Sequence, residues 1–186
     1  MRLRWMVLGA LLAGAVGCGS AASPSHPAVK TPAPAKAAPH TAAISEPPVI
    51  VGAAQWKDLP KFQAAVKANP NSATAWSNLA HSEFVNNNPA QALQAYLKAA
   101  QLDPKDGILD NDIGNLYNYT FKEPQKALPY YQEAVKKSPS YDYGWYNLIL
   151  LEKNLGNTAA VKQYQAEALK AVPPSDKLYK YLQQGY

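Results

Sequence analysis

The sequence predicts an all-α fold, a solenoid of antiparallel helix pairs, and three observations lead there. Prolines recur at Pro70, Pro104, Pro139 and Pro173, a spacing of about 34 residues each time. Trp76 and Trp145 stand two such periods apart. Ala92, Tyr96 and Ala99 precede Pro104 at the same offsets at which Ala127, Tyr131 and Ala134 precede Pro139. A period of this length marks one supersecondary unit copied along the chain.

Each element follows from its residues. The stretch WKDLPKFQAAVKANP places Phe62, Ala65 and Pro70 as the back half of a unit, with PPVIVGAAQW standing where its first helix would be. The first full unit, residues 73–106, opens with AWSNLAHSEF, where Trp76, Leu79, Ala80 and Phe84 fall at helical spacing. A turn at NNNP follows, with Pro89 tolerated early in the next helix. That helix carries Ala92, Leu93, Tyr96, Leu97, Ala99 and Ala100 before LDP stops it. Small Ala80 and Ala92 let the two helices approach, and Tyr96 fills the space beside them. The second unit, residues 107–141, repeats the pattern through Ile113, Gly114, Tyr117, Ala127, Tyr131 and Ala134, with one extra residue near YTFKEP. The third, residues 142–175, carries Trp145, Leu148, Gly156 and Ala168; its second helix fits two registers, one through Val161 and one through Ala160 with Tyr164. A capping helix over about 175–184 closes the array, with Ser175 as its N-cap and Leu178, Tyr179 and Leu182 on one face. No helix here buries its apolar face alone, so neighbouring units must supply the core.

These residues resemble the tetratricopeptide repeat, a helix-turn-helix unit with a Trp-Leu-Gly-Tyr…Ala-Phe/Tyr-Ala-Pro pattern. The likeness runs through Trp76, Leu79, Ala80, Ala92, Tyr96, Ala99 and Pro104, and again through the matching positions of the next two units. It covers residues 55–186 and departs at Asp110, where a tryptophan is usual.

The front of the chain has a different character. Arg2 and Arg4 precede an apolar run from Trp5 to Val16, and Ala15, Val16 and Gly17 lead into Cys18, the single cysteine. A charged start, a short apolar stretch and a small-residue cleavage site make residues 1–17 a secretory signal peptide. The run is shorter than the ~20 residues a permanent span requires. Ala15-Val16-Gly17-Cys18 resembles the bacterial lipoprotein signal, cut before a cysteine that carries a lipid, although Ala15 replaces the usual leucine-like residue. That resemblance makes Cys18 the lipidation site and places the protein across the cytoplasmic membrane, anchored by its first mature residue; a plain signal cut nearby is the alternative. Residues 18–54 hold seven of the sixteen prolines among alanine, serine and threonine, a spacer with almost nothing to bury.

Charge and chemistry narrow the function. Cleavage would leave sixteen lysines against thirteen acids, a net of +3 and no arginine. Nucleic-acid readers lean on the forked guanidinium, so no nucleic-acid partner is expected. His26 and His40 lie in the spacer, and His81 lacks the second histidine at i+4 that helical metal pairs use. Asp103, Asp106, Asp110 and Asp112 surround Gly107 without the spacing of a calcium loop, and suit helix starts instead. No catalytic residue, cofactor or metal is expected.

A binding surface is what the resemblance implies, since the first helices of successive repeats line the concave face in that family. By position this gives Thr74, Ser77, His81, Phe84 and Val85 from the first unit, and Ile108, Asn111, Asn115, Asn118 and Tyr119 from the second. The third gives Tyr143, Tyr146, Leu150, Lys153 and Asn154. Asn111, Asn115 and Asn118 share one helix face, and their amides suit the backbone of an extended peptide. The expected function is an adaptor holding a protein or peptide of the cell envelope, with a cell-wall or glycan-binding accessory role as the alternative. Cys18→Ala should move the protein from the membrane fraction to the soluble fraction; fractionation that leaves it in the membrane would show that Cys18 is not the anchor.

Overall fold

A computed structural model describes residues 53–184, and the proposed signal peptide, Cys18 and nearly all of the spacer lie outside the described residues. A 3-10 turn at Ala53–Trp56 leads into α1 (Leu59–Ala68), followed by α2 (Ala73–Val85), α3 (Pro89–Leu102), α4 (Gly107–Asn115), α5 (Pro124–Lys137), α6 (Asp142–Asn154), α7 (Thr158–Ala171) and α8 (Tyr179–Gln184). Helices adjacent in sequence pack on one another throughout, and α4 also touches α6. This nearest-neighbour layout is how a repeat array builds a continuous core from helices that are unstable alone.

Local chemistry explains the helix ends. Asp58, Ser72 and Asp106 are N-caps whose side chains accept from the backbone N–H of Lys61, Ala75 and Ile108. Pro89 and Pro124 sit at the first positions of α3 and α5, where a missing N–H costs nothing. Between paired helices one residue adopts a left-handed conformation: Asn87 at φ 63°, Lys122 at 59° and Gly156 at 80°. The expected N-cap at Ser175 is displaced. The chain turns through Asp176, whose carboxylate accepts from the Leu178 N–H, and α8 begins only at Tyr179.

In the first two pairs a tyrosine stands against a small residue. A Cβ built at Gly114 would lie 2.6 Å from a ring carbon of Tyr131, closer than real Cβ contacts come. Ala80 and Tyr96 hold the same positions in the first pair, both buried. In the third pair the volumes are exchanged: buried Ile149 stands at the small position and Gln165 at the tyrosine position. Ala168 is fully buried, and α7 begins at the same distance ahead of Pro173 as α3 and α5 begin ahead of Pro104 and Pro139. The register of the third unit is therefore the one through Val161.

Two departures in the second unit also resolve. Trp76 and Trp145 donate their indole N–H to the carbonyls of Pro70 and Pro139, at 2.7 and 2.8 Å. Asp110 occupies the equivalent position and instead pairs with Lys137 at 2.6 Å. Burial raises the Asp110 carboxyl above its ordinary value, against the pull of Lys137. The extra residue is absorbed by a π-helical turn at Leu116–Thr120, where the Phe121 N–H donates to Leu116 O at 2.9 Å. Consequently the Glu123 N–H reaches back one position further, to Tyr117 O, than Asn88 and Asn157 do to Glu83 and Glu152.

Trp145 is 5 % exposed, and Trp76 is only partly buried against the first core cluster. Trp145→Ala should cost about 3–5 kcal/mol, and Trp76→Ala distinctly less. Chemical denaturation checks the order, and equal losses would contradict it. Gly114→Leu should unfold the second pair, whereas Ile149→Leu should change the midpoint little.

Candidate functional site

The face built by α2, α4 and α6 arises from the helix period, which brings one side of each first helix into line. On α2, the His81 Nδ1–H donates to the Ser77 carbonyl at 2.9 Å, which fixes the ring and directs Nε2 outward from that bond. Trp56 stacks on the same ring at 5.1 Å, and Tyr96 meets it edge-on at 5.3 Å. The 3-10 turn is itself held by Ser82, whose hydroxyl donates to Trp56 O at 2.7 Å. Facing His81 from α4 is Asp112, with Nε2 to Oδ2 at 3.8 Å.

A polar relay crosses from α6 to α4 and ends at that carboxylate. The Asn147 amide donates to Asn111 Oδ1 at 2.8 Å and to Asn115 Oδ1 at 3.2 Å. Asn115 Oδ1 also accepts from the Tyr131 hydroxyl at 2.8 Å. Asn111 in turn donates to Asp112. Buried amides of this kind are costly unless satisfied, so the relay is a packing device as much as a surface.

The positions expected to line a groove therefore separate into groups. Asn111 is 2 % exposed, its carbonyl and amide engaged by Asn147 and Asp112, so it joins helices rather than facing a ligand. Asn115 is half-buried in the same relay, and Asn118 bonds the Tyr131 hydroxyl. Phe84 packs against the first core cluster. Ser77, Tyr119, Tyr146 and Leu150 are half-buried. Tyr143 at 53 % and Ile108 at 44 % are exposed, as is Lys153. Cys18 lies outside the described residues.

Sequence reasoning misses Asp112 because it groups that residue with the aspartates at the start of α4. Asp106 is indeed the cap, but Asp112 sits one turn beyond Ile108 on the same face, the i to i+4 relation that marks it as a groove position. Trp56, Tyr141 and Asn147 are also additions of the structure. Asn147 carries no signal in its own neighbourhood, because its partners lie in a different helix, far back in the chain.

Burial dominates the electrostatics. It pushes the Asp112 carboxyl up to about 7, while the Asn111 bond pulls it down and Asp106 adds to the rise. It holds His81 below its ordinary value, opposed by the Ser77 bond. Burial also raises the Tyr96 and Tyr141 hydroxyls, with Asp112 contributing to both. Among the described residues no group of three or more His, Cys, Asp or Glu is placed to hold a metal ion. No described helix is long and apolar enough to cross a membrane.

The raised carboxyl carries a stability consequence. Asp112 titrates near 3.8 when unperturbed and near 7 in the folded chain, so folding favours its protonated form. Its contribution is complete below about pH 4 and is lost as pH rises through 7. Asp112→Asn should therefore stabilise the fold by up to ~4 kcal/mol at pH 8 and by almost nothing at pH 4. Urea denaturation at the two pH values measures this; a variant destabilised at pH 8 would mean that His81 holds the carboxylate ionised.

Residues 59–107 match the family model described as tetratricopeptide repeat. No curated protein matches the chain. Two crystal structures of MamA are similar in fold, one at TM-score 0.56 and 19 % identity, covering 61 % of this chain and 66 % of that one. The other stands at TM-score 0.55 and 20 % identity, covering 66 % of this chain and 65 % of its own. The match thus spans just under two thirds of each of those proteins. With its helix pairs stacked in sequence order and a family match across α1 to α3, the described chain has the all-α fold of a tetratricopeptide-repeat solenoid.

Proposed function

We propose that the protein is a lipid-anchored adaptor of the cell envelope, which holds a protein or peptide partner along the α2, α4 and α6 face. The fold supports a protein-binding role in general. The observation that carries the choice of face is the exposure of Ile108 and Tyr143 at equivalent positions of α4 and α6. Side chains of that size are normally turned inward, and their alignment on successive first helices gives a partner continuous apolar contact. Tyr143 stands near Tyr141 with ring centroids 6.1 Å apart, extending the aromatic surface toward Asp112. The spacer and the lipid on Cys18 serve this role by confining the bound partner near a membrane, which raises its effective concentration. The work is done by binding, without bond chemistry.

A photo-crosslinking amino acid placed at Tyr143 should yield adducts with a partner in intact cells. The same residue placed at Gln163, exposed on α7, should yield none. Adducts from Gln163 alone would put the interface on the opposite helices.

A further inference from the structure

Asp112 has properties that a solvated helix face does not require. Its side chain is 19 % exposed, and it is bonded by Asn111, whose own carbonyl is held by Asn147. That bond favours the ionised carboxylate, against the burial that favours the protonated one. Its basic neighbour among the described residues is His81, which at 3.8 Å stands beyond hydrogen-bond length. Its ring is held by Ser77 on one side and by Trp56 on its face, so it cannot swing closer without breaking both contacts.

The other titratable groups that share its electrostatic field are Tyr96 from α3, Tyr131 from α5, Tyr141 ahead of α6, and Asp106 at the start of its own helix. None is a cation. One turn away, Ile108 offers exposed apolar area, and Tyr143 adds more beside Tyr141.

Building on the adaptor reading, we propose that this face selects a protein segment with a lysine or arginine next to an apolar side chain, the cation seated on Asp112 and the apolar group on Ile108 and Tyr143. The incoming cation takes the hydrogen-bonding place that His81 leaves unfilled. It binds the ionised carboxylate, so binding expels the proton that Asp112 carries near neutral pH. Lowering the pH below 7 restores that proton and charges His81, and both changes oppose the guest. Affinity therefore falls with acidity.

The test uses the full-length protein labelled for NMR and three probes: acetyl-Leu-Lys-Leu-amide and its norleucine and glutamate counterparts. The lysine peptide should perturb residues 108–115 and His81 and bind about tenfold tighter than the norleucine peptide. The glutamate peptide should bind more weakly than either. Asp112→Asn keeps the side-chain shape and should equalise the lysine and norleucine peptides near neutral pH, leaving only the decline at lower pH that the charging of His81 causes. Equal binding of lysine and norleucine peptides to the unaltered protein at the same residues would overturn the cation seat while leaving the adaptor reading in place. Perturbations confined to α5 or α7 would overturn the proposal, and crosslinking from Tyr143 would still decide the adaptor reading separately.

Discussion

How closely the two helices of a pair approach governs everything built on them. At Gly114 the limit is visible, because the Tyr131 ring occupies the space a Cβ would need. That ring does more than fill volume. Its hydroxyl reaches Asn115, Asn115 shares Asn147 with Asn111, and Asn111 bonds Asp112. A single steric contact between α4 and α5 thereby positions the polar relay that joins α4 to α6. The groove carboxylate is the outer end of a packing arrangement that begins at a glycine.

Repetition makes the fold readable from the sequence. Proline spacing, the alanine and tyrosine offsets and the two tryptophans each report the same unit, and the helices fall where those residues place them. Periodicity also exposes exceptions: the missing tryptophan at Asp110 and the extra residue near Thr120 are both conspicuous against it. What periodicity does not supply is their remedy. Lys137 sits at the far end of the next helix from Asp110, and nothing local indicates that an ion pair will replace an indole hydrogen bond. The absorption of the extra residue inside a helix, in preference to the following turn, depends likewise on how tightly α5 must sit against α4.

The surface is legible by position and much less so by direction. Helical spacing puts Asn111, Asn115 and Asn118 on one side of a helix, and that is where they are. Whether such a side meets solvent or a neighbour depends on α5 and α6, whose Tyr131 and Asn147 claim those amides. Asp112 illustrates the converse. Its place in a run of aspartates suggests capping, whereas its exposure to His81 and three tyrosines comes from elements distant in sequence. Sequence spacing assigns residues to faces; tertiary packing decides which of them remain available.

The first and third pairs are fastened at the turn by a carboxylate and an amide. Asn88 donates to buried Glu83 at 2.8 Å, and Asn157 to buried Glu152 at 2.6 Å. In the second pair Tyr117 stands where the glutamate would be, stacked on Tyr130 at 5.5 Å, and the π-helical turn spans the same residues. The outer pairs are thus stitched at the turn, where the second pair has ring stacking; its helices are tied instead by the Asp110–Lys137 pair and the Tyr131–Asn115 bond. Loss of the amide at Asn88 or Asn157 would therefore strand a buried carboxylate in an outer pair, a failure for which the second pair holds no equivalent group.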